Sequence, residues 1–316
     1  MSDAAQTPQT RCGFVAVIGA PNAGKSTFVN ALVGSKVSIV SPKVQTTRMP
    51  VRGVAMRGQA QIIFVDTPGI FQPRRRLDRA MVKSAWAGAG DADAVLLIVD
   101  AADLVAKPKG AAARDTDAIV ESLKKAEHGK LPKISLVLNK IDELPRAELL
   151  PLVQSFSETG VFDQVFMISA LKSDGIDEVA DWSAAHLPIS AWLYPEDQAA
   201  DIPSRLLASE ITREKLYFRL HDELPYATTV ETEAWTAKKD GSVKIDQIIY
   251  VERAGQKGIV LGKGGQTVKA IGESARREME TIFGHRVHLF LFVKVREGWA
   301  ENREHYRDIG LEYPEE

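Results

Sequence analysis

Along residues 12–187 the chain repeats one pattern: a continuous apolar run, then a longer mixed segment, then the next run. The runs are FVAVIG, QIIFVD, AVLLIVD, ISLVLN and QVFMIS. The segments between most of them, such as SAWAGAGDADA and TDAIVESLKKAEHG, carry apolar residues at helical spacing. A strand with no polar alternation has to be covered on both faces, and a helix between two such strands makes them parallel. The pattern predicts an α/β domain: a mostly parallel sheet with helices on both faces. It breaks at AAHLPISAWLYPEDQAADIPS, where Pro188, Pro195 and Pro203 interrupt any regular element. A linker is expected over 188–203.

The remaining chain has another rhythm. SRLLASEITREKLYFRLHDELP predicts an amphipathic helix. ATTVETEAWTA and SVKIDQIIYVER predict two strands joined by a tight turn through Lys239, Asp240 and Gly241. GIVLGKGGQTVKAIGESARREMETIFG reads as two helices meeting at a Gly-rich turn. VHLFLFVKVRE reads as a closing strand whose apolar residues serve the core rather than a base-stacking platform. These elements make an α+β unit over 204–295, followed by a tail over 296–316.

Composition adds limits. The 316 residues suffice for two domains of ordinary size. A formal net charge of −2 gives no global attraction to nucleic acid or anionic membrane, so such a partner must meet a local patch. Cys12 is the single cysteine, which excludes an internal disulfide framework and suits a reducing cytosol. Its place at the entry to the first strand predicts a small buried or half-buried residue. No apolar run approaches the roughly 20 residues of a membrane span. MSDAAQTPQTR has no apolar core, and a disordered lead-in is expected over 1–10.

The chemistry begins at GAPNAGKST, which comprises Gly19, Ala20, Pro21, Asn22, Ala23, Gly24, Lys25, Ser26 and Thr27. It fits GxxxxGK[ST], with a strand before it and a helix after it. Glycines let such a loop curl its N–H groups inward onto phosphate oxygens, and the helix N-terminus adds a favourable dipole. Lys25 is expected on the β and γ phosphates and Ser26 on Mg²⁺. Asp66, Thr67, Pro68 and Gly69 form DTPG at the end of the next run. There Asp66 can support the Mg²⁺ site through water, and the Gly69 N–H can meet a γ-phosphate.

NKID (Asn139, Lys140, Ile141, Asp142) decides the base. The Asp142 carboxylate offers two acceptors side by side. Guanine presents a matching pair of donors and adenine does not, so adenine would leave the carboxylate unpaired. Asn139 can tie this loop to the phosphate loop, and the Lys140 stem can cover one face of the base. Ser169, Ala170 and Leu171 follow the last run, where a backbone N–H would meet guanine O6. In this order, at strand ends, the motifs resemble the Ras-like GTPase superfamily over 11–187. Gln45, Thr46, Thr47 and Arg48 form QTTR, which is similar to the first switch of its TrmE–Era–EngA-like branch. The resemblance implies a Mg²⁺-binding threonine at Thr47, with Thr46 the competing choice. It also implies potassium-stimulated hydrolysis accompanying Asn22. Ile70 stands where Ras-like proteins often carry a water-orienting Gln, which an isoleucine cannot replace; slow intrinsic turnover is expected. The arginines of QPRRRLDR fit a solvated second-switch loop or a partner surface.

In the second unit Gly262, Lys263, Gly264 and Gly265 form a GxxG turn between helices. The order helix–strand–strand–helix–GxxG–helix–strand resembles a type II KH domain. Such domains grip about four nucleotides of single-stranded RNA. Lys257, Lys263, Lys269, Arg276 and Arg277 give the turn a local basic stripe despite the acidic whole. A Ras-like GTPase domain followed by this unit resembles the Era family over nearly the whole chain. That resemblance implies GTP and GDP as ligands. It also implies binding of 16S rRNA near its 3′ end and of the 30S subunit, Mg²⁺ and K⁺, a cytoplasmic monomer, and some peripheral membrane association. It further implies a GTP state that orders both switches and resets the relation of the two domains. Two rivals stand beside it: an RNA-binding assembly factor with a merely structural nucleotide, and a GTPase of tRNA modification or a protein partner that uses the KH unit as scaffold.

Overall fold

A computed structural model describes residues 9–126 and 132–315. Most of the expected disordered lead-in, and the end of the expected helix TDAIVESLKKAEHG, lie outside the described residues. The chain divides into two compact units. One contains the residues up to Ser38, Thr47–Asp201 and the chain from Gly310 onward; the other contains Ile39–Thr46 and Ile202–Ile309.

The first unit runs β1 (Arg11–Ile18), α1 (Lys25–Val33), β2 (Val51–Arg57), β3 (Ala60–Asp66), α2 (Arg76–Gly90), β4 (Ala94–Asp100), α3 (Ala101–Ala106), α4 (Ala111–Lys125), β5 (Lys133–Asn139), α5 (Arg146–Ser157), β6 (Gln164–Met167) and α6 (Ile176–His186). The sheet order is β2-β3-β1-β4-β5-β6. Every neighbouring pair is parallel except β2 with β3, which is antiparallel. The five apolar runs are the five parallel strands, and β1, β3, β4 and β5 are buried almost throughout. Cys12 is buried, as its position predicted. β1 has β3 on one side and β4 on the other, so the chain reverses direction of winding there. Loops at the carboxyl ends of such strands form a crevice for a ligand. The stretch 188–203 is not a free tether. Its residues up to Asp201 belong to the first unit and pair within it, through bridges of Ile189 to Arg11 and Ala200 to Gly53, and Val54 N–H donates to Ala199 C=O at 2.8 Å.

The second unit runs α7 (Ser204–Arg219), β7 (Thr228–Ala237), β8 (Val243–Val251), α8 (Ala254–Leu261), α9 (Gln266–Phe283), β9 (Val287–Val295) and α10 (Arg303–Asp308). Its sheet order is β7-β8-β9, with β7 antiparallel and β9 parallel to β8. The hairpin turn is closed by Gly241 N–H on Lys238 C=O, with Gly241 at φ +79°. Helices cover one face of this sheet. Leu216, Ile249, Ile271 and Val293 form one buried cluster, and Ile211, Ile245, Met279 and Val287 another. The expectation that the apolar residues of β9 all serve the core is corrected here. Leu289, Leu291 and Val293 pack inward, while Phe290 and Phe292 are exposed by 47% and 49%, because strand neighbours point to opposite faces.

Candidate functional site

The phosphate loop leaves β1 and enters α1 at Lys25. Its curl needs left-handed backbone at Gly24 (φ +95°) and Asn22 (φ +63°). A Cβ on Gly24 would lie 2.2 Å from Asn139 Nδ2, so only glycine fits beneath the NKID loop. The helix N-terminus faces this curl, which is the arrangement that receives phosphate. Lys25 is buried, and its Nζ donates to the carbonyls of Gly19 at 3.1 Å and Ala20 at 3.0 Å. Burial pulls its pKa down to about 8, against the opposing charge of Asp66.

Asp66, at the end of β3, is wholly buried. Its Oδ2 accepts from the Ser26 hydroxyl at 2.6 Å, while Oδ1 has no hydrogen-bond partner among the described residues. Burial pushes its carboxyl pKa up; the Ser26 hydroxyl works in the other direction. Ser26 Oγ also lies 2.9 Å from Thr47 Oγ1. Thr46 is occupied elsewhere: its hydroxyl donates to Lys43 C=O at 2.7 Å and lies 2.6 Å from Ser41 Oγ. Of the two threonines, Thr47 is the one gathered with Ser26 and Asp66. Two hydroxyls beside a carboxylate with an orphaned oxygen are hard oxygen donors of the kind Mg²⁺ takes.

After Asp66 the chain stays against the phosphate loop. A Cβ on Gly69 would sit 2.9 Å from Pro21 Cγ, and Ile70 N–H donates to Gly19 C=O at 3.0 Å. The Thr67 hydroxyl donates to Val17 C=O at 2.8 Å. The Ile70 side chain packs into the core of the first unit. It has neither the chemistry nor the position to orient a water.

The NKID loop and the Ser169–Leu171 loop converge from β5 and β6. Asn139 joins them: its Nδ2 donates to Ala23 C=O at 2.9 Å, and its Oδ1 accepts from Ala170 N–H at 3.0 Å. The Ser169 hydroxyl, with Lys172 Nζ 3.4 Å away, holds the Asp142 carboxyl below the usual carboxylate range. Asp142 is therefore kept as the anion, whose carboxylate oxygens only accept. Lys140 is left-handed at φ +65°, and its ammonium pairs with Asp100. Ile141 N–H donates to Ile168 C=O at 3.2 Å. Leu171 is 78% exposed beside them. Asp100 and Lys172 were not among the expected site residues. Asp100 had a signal, since it closes the run AVLLIVD at the same sheet edge; Lys172 had none.

In the second unit the GKGG turn joins α8 to α9 with Gly262, Gly264 and Gly265 at φ +73°, +60° and +78°. A Cβ on Gly262 would lie 2.2 Å from Thr267 Oγ1; one on Gly264 or Gly265 would meet nothing within 4 Å. The turn is therefore open on its outer side. Lys263, Lys269 and Arg277 are exposed and Lys257 is half-buried. Arg276 is spent on an ion pair with Glu280 at 2.7 Å, one turn along α9.

The family model described as 50S ribosome-binding GTPase matches residues 14–140, and that of the KH domain matches residues 223–300. The chain is 57% identical to the GTPase Era of Brucella suis, over 98% of this chain and 96% of that one. It is 54% identical to the GTPase Era of Maricaulis maris over 99% of each. A solved Era variant from Aquifex aeolicus bound to GDP.AlF4- matches 95% of this chain and 99% of its own at a TM-score of 0.86 and 38% identity. An Era structure in complex with MgGDPNP and nucleotides 1506–1542 of 16S ribosomal RNA matches with the same coverage, score and identity. With identity above one half along almost the whole of both chains, this chain belongs to the Era family of GTPases.

Proposed function

We propose that this GTPase couples its nucleotide state to binding of 16S rRNA near its 3′ end during assembly of the 30S subunit. The observation that carries the nucleotide half is Asp66, buried with one oxygen orphaned beside Ser26 and Thr47. Ser26, Thr47 and Asp66 would hold Mg²⁺, which when bound neutralises charge on the β and γ phosphates. Gly19 to Thr27 wrap the phosphates with main-chain N–H groups, and Lys25 moves its ammonium from loop carbonyls to phosphate oxygens. The Gly69 N–H meets the γ-phosphate. Asp142, Ser169 and Ala170 read guanine, with Lys140 and Leu171 along its faces. The loss of the γ-phosphate removes the partner of Gly69 and an oxygen that would help hold the ion against Thr47, which relaxes both switches.

Ile70 cannot aim the attacking water, so the required electrostatics come from elsewhere. Asn22 supports a monovalent cation site: its neutral carboxamide oxygen suits K⁺, and its left-handed backbone turns it out of the regular loop path. For RNA, the open outer side of Gly264 and Gly265 allows a phosphate backbone to approach main-chain N–H groups, with Lys257, Lys263, Lys269 and Arg277 beside it. Arg276, already paired with Glu280, contributes to the local potential more than to a direct contact. In the same reading the protein is a cytoplasmic monomer with peripheral membrane contact. No helix among the described residues is long and apolar enough to cross a membrane.

The test is GTP turnover in potassium and in sodium buffer, with and without a single-stranded RNA from the 3′ end of 16S rRNA. Potassium and RNA are each expected to raise kcat by about tenfold or more, a barrier change near 1.4 kcal/mol. RNA that binds without stimulating would leave an assembly factor whose GTPase answers to another partner. Equal rates in the two salts would remove K⁺ from Asn22.

A further inference from the structure

Three residues of α7 and the one just past its end reach the segment Ile39–Thr46, which belongs to the same compact unit. Glu214 accepts from Val40 N–H at 2.8 Å, and Lys43 Nζ donates to Leu220 C=O at 2.8 Å. The Tyr217 hydroxyl donates to Gln45 C=O at 3.4 Å, and Arg213 Nη2 donates to Thr46 C=O at 2.5 Å. Three of the four contacts use the main chain of the segment. They fix its path whatever its side chains.

Arg213 is the costly member. It is 1% exposed, and a buried guanidinium is unfavourable unless charge and hydrogen bonds compensate. Glu210, one turn back, accepts from Nε at 2.8 Å and from Nη2, and the Tyr217 ring lies 5.3 Å from the guanidinium carbon. Nη1 has no hydrogen-bond partner among the described residues. The main-chain contact of this buried group is the Thr46 carbonyl.

A peptide group is planar, so Thr46 C=O and the N–H and Cα of Thr47 move as one plate. Gln45 C=O belongs to the plate before it. Gln45 itself is left-handed at φ +56°, a conformation that non-glycine residues adopt rarely and at a cost. Two successive plates are thus pinned from residues one turn apart on α7, and the second plate carries Thr47. The Thr47 hydroxyl is the one found 2.9 Å from Ser26 Oγ.

We propose that Arg213 is a positioning residue for GTP hydrolysis, acting through the Thr46–Thr47 peptide to set where Thr47 presents its hydroxyl. The inference rests on the reading of Thr47 as a Mg²⁺ ligand. The contact is a guanidinium on a main-chain carbonyl, which no change in the loop's own side chains would abolish.

The experiment uses the full chain and four variants: Arg213→Ala, Arg213→Met with Glu210→Gln, Thr47→Ala, and Arg213→Ala with Thr47→Ala. The second removes the buried ion pair as a unit and leaves no orphaned charge, so it keeps the test open where Arg213→Ala fails to fold. Two quantities are read: the Mg²⁺ concentration that half-saturates binding of a non-hydrolysable GTP analogue, and kcat. Loss of Arg213 is expected to raise the half-saturating Mg²⁺ about fivefold and lower kcat about tenfold, with GDP affinity changed less than about twofold. Thr47→Ala is expected to match it, and the combination to lose no more than either alone, the mark of two groups acting in series. A folded Arg213→Met, Glu210→Gln variant with unchanged Mg²⁺ dependence and kcat, beside an impaired Thr47→Ala, overturns the proposal. So do losses that multiply in the combined variant. An unimpaired Thr47→Ala overturns the Mg²⁺ reading of Thr47 and the proposal with it, a result recognisable from that variant alone.

Discussion

With Lys25 read as the phosphate-binding lysine, nucleotide binding is expected to have a pH window. The Lys25 pKa in the buried loop is about 8, below the ordinary lysine value of 10.5, because burial disfavours the charged form. Phosphates favour that form, so binding raises the pKa. Below pH 8 the ammonium is present with or without nucleotide, and affinity is flat. Above pH 8 the free site has released a proton that the complex takes back. Affinity for GDP is then expected to fall by up to about tenfold per pH unit. The folding contribution has the opposite trend. Between pH 8 and 10.5 the unfolded chain holds a proton that the folded one has lost, so this group's destabilisation is full below pH 8 and is relieved as pH rises. Titrating a fluorescent GDP from pH 7 to 9.5 checks the first statement, and a Kd constant across that range refutes it. Such residues were legible because the motif fixes both their type and their spacing. Thr46 and Thr47 were not separable, since adjacent identical residues differ only in where their hydroxyls point. The contact of Arg213 left no trace in the sequence because the Thr46 carbonyl lies 167 positions away.

The α8–turn–α9 element was readable from its glycines, and its openness sharpens what they are for. Gly264→Asp puts a side chain into space that is empty within 4 Å, at φ +60°. The left-handed backbone costs about 1–2 kcal/mol for an ordinary residue, and less for Asp, which tolerates it. The larger effect is a carboxylate facing the approach of a phosphate. RNA affinity is expected to drop by about tenfold or more, while turnover without RNA and the melting temperature stay near those of the parent. A gel-shift titration beside a turnover assay measures both, and unchanged RNA affinity would remove the turn from the RNA interface. Where elements escaped the sequence, packing was the reason. β2 reads as VRGVAMR, with an exposed Arg52, and has neither a clean alternation nor a full apolar run. It is a strand because β3 pairs with it and α1 covers it. Gly53 belongs to that packing, since a Cβ there would lie 2.7 Å from Val33. β9 shows the reverse case: its continuous apolar run looked fully covered, yet Phe290 and Phe292 face outward.

At the scale of the whole chain the two rhythms of the sequence correspond to units with separate buried clusters, among them one around Leu97, Leu136 and Ile119 in the first and one around Ile249, Ile271 and Val293 in the second. The place where the rhythm changes was legible from its prolines. Its pairing with β1 and β2 was not, because bridges to Arg11 and Gly53 leave no local trace. Nor was the exchange of Ile39–Thr46 into the second unit, which rests on main-chain contacts to α7. Eight residues exchanged between two units that each have their own core are too few to fuse them into one cooperative block. Calorimetry is therefore expected to show two transitions. GDP with Mg²⁺ at about a hundredfold above its Kd adds about 2.7 kcal/mol to the unit that binds it. For a unit of that size this corresponds to a shift of roughly 5–10 °C, confined to one transition. The 16S rRNA segment is expected to move the other. The Arg213→Met, Glu210→Gln variant lowers the second transition and leaves the GDP shift of the first in place, since none of the GDP-binding groups is altered. A single transition moved equally by nucleotide and by RNA would instead mean that the exchanged segment, short as it is, ties the stability of one unit to the other.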